Sequence, residues 1–172
     1  VTAGEDLYAF RHAVTRQGAY ELMPPSVRAR LHELAADHLE TLEGDARGAA
    51  APEIAAHLRL ASRWLENDPP RATVIARREV VAAIAAARWL AAQFRFRDAL
   101  AFWERIAGHP AAGPVEQAEA LVAAAEAADP PAAYALGAAL ADRALAIAGA
   151  PPLLRMRALR AAGICALRTG RG

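Results

Sequence analysis

Alanine constrains this chain more than any other residue. It fills 49 of the 172 positions, while valine, isoleucine and threonine are few. Alanine gives up no side-chain entropy on entering a helix, and strands draw on the β-branched residues that are scarce here, so the chain reads as all-α. Small side chains also let helix axes approach closely, which favours thin stacked layers over a thick core of aromatics. With 55% apolar residues a core can still be buried. The expected architecture is a series of antiparallel helical hairpins, with at most a short strand near the N-terminus.

In chain order, Leu7 to Phe10 reads as that strand, and Phe10-Arg11-His12 leads into a helix. Ala13, Val14, Gly18, Ala19, Leu22 and Met23 recur at helical spacing until Pro24-Pro25 interrupts them. Ser26 reads as the N-cap of a helix from Val27 to about Leu42, whose buried stripe is Val27, Leu31, Leu34, Ala35, His38, Leu39 and Leu42. Residues 44–51 read as a flexible connection. Pro52 then starts a helix to Glu66, with Ile54, Leu58, Ala61, Trp64 and Leu65 inward, and Asn67-Asp68-Pro69-Pro70 stops it. Further helices are expected over 71–93, 97–107, 114–128, 131–148 and 151–168. Short Pro and Gly turns between them imply antiparallel neighbours.

One segment has internal order beyond periodicity. Ala87, Leu90, Phe96, Ala99, Trp103 and Ile106 follow the small and large positions of a tetratricopeptide repeat, whose period is about 34 residues. Gly163 and Gly170 fall at the small and turn positions of a later unit, and Pro114 to Ala148 sits between at compatible spacing with its large positions reduced to alanine. The hairpins are therefore expected to stack as a tetratricopeptide-like superhelix, residues 45–172, following an N-terminal part over residues 1–44.

Charge and cysteine content narrow the setting. The formal net charge is +1, so no global field draws in nucleic acid or an acidic membrane. All 20 basic residues are arginine and none is lysine, which reads as nucleotide-composition bias. Cys165 is the only cysteine, so no intrachain disulfide can form and a reducing, cytoplasmic setting is expected. Its apolar surroundings, Gly163-Ile164-Cys165-Ala166-Leu167, read as a buried structural thiol. No apolar run reaches the roughly 18 residues of a membrane helix. The chain starts at Val1 and stops at a helix end, and reads as a piece of a larger protein.

Residues 10–40, FRHAVTRQGAYELMPPSVRARLHELAADHLE, resemble a junction in bacterial STAND-class regulatory ATPases, particularly large LuxR-type and related regulators. The resemblance rests on Phe10-x-His12-Ala13-Val14, Tyr20, Pro24-Pro25 and Arg30-Leu31-His32. It extends through PEIAAHLRLASRWL and AAARWLAAQFRFRDALAFWERI to about residue 110. It implies that residues 1–44 are the end of a winged-helix-like domain with its linker helix, and that helical repeats follow. It further implies that His12 matches a histidine which approaches the phosphates of ADP bound to an upstream ATPase core. An imidazole at a helix start is suited to a phosphate oxygen. By the same resemblance the arm would sense an inducer, a protein or a small molecule, and relay it to the nucleotide state, usually for transcription control. The sequence has no G-x-x-x-x-G-K-[ST] loop and no lysine to serve one, so ATP or ADP would be bound upstream, with no cofactor expected in this chain.

No catalytic constellation stands out. His32, His38, His57 and His109 form no i, i+4 pair, and no H-E-x-x-H pattern exists, so no metal site is expected. His32 and His57 read as helix-interface residues, with Glu53 one turn before His57 as its partner. Acidic residues are spaced as solvated faces. Arg155, Arg157, Arg160, Arg168 and Arg171 form a basic stretch without acids and without aromatics to stack bases, so it reads as solvated or repeat-facing and no direct nucleic-acid contact is expected. Phe94, Phe96, Phe102 and Trp103 read as repeat packing. The alternatives are a stand-alone peptide-binding repeat scaffold, an enzyme with a site formed between helices, and a helical nucleic-acid binder. Self-association through exposed apolar faces is a further expectation.

Overall fold

The computed structural model describes residues 13–127 and 133–170. These form eight α-helices and, among the described residues, no strand: α1 (Ala13–Glu21), α2 (Pro25–Glu40), α3 (Gly44–Arg63), α4 (Pro69–Ala92), α5 (Phe96–Ala107), α6 (Pro114–Glu126), α7 (Tyr134–Ala146) and α8 (Pro152–Arg168). The all-helical architecture read from alanine content is the one observed. The strand expected at Leu7 to Phe10 and the histidine His12 lie outside the described residues. No described helix is long and apolar enough to cross a membrane.

Proline sets the starts of the even helices. Pro25, Pro69, Pro114 and Pro152 each occupy the first turn, where a missing N–H costs nothing. Consequently Ser26 is not a cap but lies inside α2, and Pro24 precedes the helix. Asp68 does cap, its carboxylate accepting from the Arg71 backbone N–H at 3.3 Å. The connection expected over residues 44–51 is instead the first two turns of α3, with Pro52 inside the helix. Alanine-rich sequence propagates helix through the proline, and packing holds it there. Ala51 is buried, and a side chain at Gly48 would collide with the Trp89 ring of α4. Gly44, at φ +54°, opens α3 in a conformation that alanine would resist.

The core is mainly alanine, with Leu58, Ile75, Val80, Leu90, Ile106, Val122 and Leu140 as its largest fully buried side chains. From α2 onward each helix packs on the next in sequence, and α6 also packs on α8. Ion pairs join every second helix. Arg71 reaches Glu33, and Arg78 reaches Asp37 and Glu40 at 2.6 and 2.7 Å, tying α4 to α2. Arg77 and Arg88 tie α4 to Glu116 and Glu119 of α6, at 2.5 and 2.6 Å. Arg157 and Arg160 of α8 share Glu126 of α6, at 2.6 and 3.2 Å. The even helices thus form one stitched row, with α3, α5 and α7 bridging behind it.

Two burial expectations are overturned. Val27, Leu31, Leu34 and His38 of α2 are exposed, because the face turned to α3 is the one carrying Ala29 and Ala36. An alanine face makes the closer contact and leaves the larger residues outside. Phe94 and Phe96 do not pack the repeat either, being 81% and 44% exposed, whereas Trp103 is buried. The remaining positions of the repeat pattern, Ala87, Leu90, Ala99, Trp103 and Ile106, all lie in the core. Cys165 is buried as expected, and burial pushes its thiol pKa up.

Candidate coupling site

Three helices meet at a hydrogen-bonded relay near the N-terminal end of the row. Tyr20 near the end of α1, His32 on α2 and His57 on α3 stand in line, with Trp64 at the end of α3 behind Tyr20. Trp64 Nε1–H donates to the Tyr20 hydroxyl at 3.2 Å, and that oxygen lies 2.9 Å from His32 Nε2. His32 Nδ1 lies 2.9 Å from His57 Nδ1. His57 Nε2 is 3.8 Å from Glu53.

One direction of donation satisfies every group. Indole can only donate, so the Tyr20 oxygen accepts and its O–H passes to His32 Nε2. His32 then carries its proton on Nδ1 and donates to His57 Nδ1, leaving the His57 Nε2 proton aimed at Glu53. Both rings are neutral in this arrangement. A single added proton is accommodated by reversing the His–His bond, so that His32 Nε2–H donates to Tyr20. A second would set two N–H groups against each other. Burial, followed by the repulsion that a protonated His57 would exert, holds the His32 pKa below its ordinary value, which favours the neutral form.

The His32 and His57 ring centroids are 5.2 Å apart with their nitrogens 2.9 Å apart, so the rings meet nearly head-on. Head-on lone pairs share a proton and do not converge on a third point as chelating ligands must. Among the described residues no group of three or more His, Cys, Asp or Glu is placed to hold a metal ion.

Arg28 of α2 closes the site. Its Nε donates to the Met23 carbonyl at 2.9 Å and its Nη2 to the Glu21 carbonyl at 2.5 Å, capping the end of α1. The same guanidinium carbon lies 4.5 Å from the Trp64 ring centroid and 5.1 Å from that of Tyr20. Because α1 has no extensive helix–helix packing, these side chains are its principal ties to the row. The expected Glu53–His57 proximity is present. His32 and His57 do lie at a helix interface, and they contact each other directly.

A second polar cluster, invisible in the sequence, lies between α4 and α5. Glu79 is only 3% exposed, with Arg105 Nε at 3.8 Å and His109 Nε2 at 3.5 Å. Burial pulls the Arg105 pKa down; Glu79 opposes that pull and Arg59 adds to it. No spacing in the sequence signals the cluster, because its members come from different elements 26 and 30 residues beyond Glu79. A groove of about 660 Å³ also opens between α5, α6 and α7, lined by Phe94, Phe96, Leu100 and Leu136 with Arg95 and Arg97 at its edge. The Phe94 and Phe96 rings stand edge to face, with centroids 6.1 Å apart.

Comparison of the chain with protein-family models, with curated proteins and with solved structures gives no match.

Proposed function

We propose that this chain is the sensing and interaction arm of a STAND-type, ATP-dependent signalling or transcriptional regulator. In this reading the paired helices are a tetratricopeptide-like stack in the cytoplasm. They bind a protein or small-molecule inducer and pass its effect to an upstream ATPase core that holds ADP or ATP. The observation that carries the reading is the Tyr20–His32–His57 relay. Tyr20 and His32 belong to the stretch that bears the family resemblance, and they form the hydrogen-bonded tie between α1 and the helical row. An inducer that tilts α2 against α3 alters the His–His distance and so the hold on α1, and with it the residues that precede α1. Coupling of this kind needs only that the inducer prefer one arrangement of the relay over the other.

The test uses the parent protein, purified as wild type and as His12→Ala, denatured and assayed for released nucleotide. ADP retained by wild type and lost by the variant is the expected result. Absence of nucleotide from both removes the basis of the reading, and equal retention reduces His12 to a structural residue.

The Phe94–Phe96 groove favours a second reading, a stand-alone tetratricopeptide-like scaffold that binds a peptide without any nucleotide partner. Exposed aromatics at a groove of this size suit an apolar anchor residue.

A further inference from the structure

The Tyr20–His32–His57 relay has room for one extra proton and none for two. In the neutral state donation runs from Trp64 to Tyr20, on to His32 Nε2, and from His32 Nδ1 to His57 Nδ1. With one proton added the chain runs backwards: His57 donates from Nδ1 to His32, and His32 Nε2–H donates to the Tyr20 oxygen. That oxygen then accepts from Trp64 and His32 together, which uses both its lone pairs. A second proton puts an N–H on each of the facing Nδ1 atoms, 2.9 Å apart, and a positive charge on two rings whose centroids are 5.2 Å apart.

The surrounding charges do little to relieve this. Among the described residues the one carboxylate in ion-pair range of either ring is Glu53, 3.8 Å from His57 Nε2 and itself largely exposed. Arg28 of α2 lies over the Tyr20 and Trp64 rings, and Arg63 of α3 over Trp64, so both add positive charge at the site. From α4, Arg71 reaches Glu33, the residue after His32.

Packing decides what yields. Helices α2 and α3 pack on each other, and Ala29 and Ala36 share one core with Ile54, Ala55 and Leu58. The backbone beside His32 is pinned as well, because Glu33 pairs with Arg71 and Arg30. Burial raises the Glu33 carboxyl, but hydrogen bonds from Arg71 and Arg30 outweigh it, so this pin stays charged at a pH where histidines protonate. Helix α1 lacks such support among the described residues: its Val14 is exposed, and it reaches the row through Tyr20 and the Arg28 cap. The rings therefore part by the His32 side chain swinging from His57, and the Tyr20 hydroxyl loses His32 or Trp64.

We propose that the relay is an acid-operated latch for α1: it stores one proton, and a second drives His32 from His57 and frees Tyr20, while α2 to α8 stay stacked. The latch works without nucleotide or inducer, so it stands apart from the coupling proposed above.

The test is hydrogen exchange of the full chain at about pH 7.5 and about pH 5, on either side of the ordinary histidine range, with rates corrected for intrinsic exchange. Exchange in α1 rises at least about tenfold at the lower pH while α4 is unchanged. His57→Gln abolishes the rise, because an amide can accept from His32 or donate to it in any protonation state. In wild type, the ring-proton NMR signals of His32 and His57 shift together in two separate steps, as coupled groups do. The proposal is overturned if α1 is equally protected at both pH values, if α4 loosens with it, or if the rise persists in a His57→Gln variant that circular dichroism shows to be folded. Independent single-step titration of the two histidines in wild type overturns it without any variant. None of these outcomes bears on nucleotide retention, which tests the coupling separately.

Discussion

At the scale of single residues, the half-buried His32 and the buried Glu79 set how the protein responds to pH and to mutation. His32 has a folded-state pKa below that of the unfolded chain, so the unfolded state binds more protons in the interval between them. Stability is therefore complete above the ordinary histidine value of 6.5 and declines as pH falls below it. Urea unfolding between pH 7.5 and 5.5, as round experimental settings of about one unit on either side of that value, should show this decline, and His32→Phe should flatten it. A separate loss begins lower. Burial raises the Glu33 and Glu126 carboxyls, but their arginine partners outweigh it, and Arg77 lowers Glu116 directly; all three end below 4.5. The stability they contribute is present above that value and disappears as they protonate. Glu79 is the more sensitive position to substitution. Replacing it with alanine leaves the half-buried Arg105 and His109 without their carboxylate and should cost about 1–3 kcal/mol, read as a fall in the urea midpoint at unchanged slope.

At the scale of elements, α3 shows how alanine can override a breaker. Pro52 removes one backbone bond, to the Gly48 carbonyl, yet the helix runs from Gly44 to Arg63. Pro52→Ala restores the missing donor and should stabilise the chain by about 1–2 kcal/mol, offset in part by the freer unfolded chain. Thermal unfolding of the variant checks the sign. Helix α2 teaches the opposite lesson about reading faces. Its larger apolar residues mark a true helical stripe, but the stripe is not the buried one. The buried face is instead the one marked by Ala29 and Ala36. Periodicity alone points Trp64 inward; its role as donor to Tyr20 depends on a tertiary contact between residues 44 apart in sequence.

At the scale of the whole molecule, helices that contact mainly their sequence neighbours make stability nearly one-dimensional. Each exposed Arg–carboxylate rung adds only about 0.2–1 kcal/mol, so the ion pairs set register more than they hold the row together. Hydrogen exchange should be slowest in α4 and α6, which pack on the helices before and after them and carry ion pairs to both neighbours in the row, and fastest in α1, held by one relay, and in α8, whose Leu153, Leu159 and Leu167 are exposed among the described residues. Equal protection in α1 and α4 would contradict the relay as the principal tie.

The sequence by itself determined the helical class, the helix starts at Pro114 and beside Pro151, and the burial of Leu58, Leu90, Trp103 and Cys165, because propensity, turn chemistry and 3.6-residue periodicity are local. It also marked His57 and Glu53 as partners, since one helical turn separates them. Only the tertiary structure decided which face of α2 is buried, that Phe94 and Phe96 line a groove, that Glu79 is enclosed with Arg105 and His109, and that two distant histidines share a proton. Those outcomes depend on how helices are placed against each other. In a chain so rich in alanine, many faces are small enough to be the inner one, so placement is settled by close packing and by the few polar groups that must find partners.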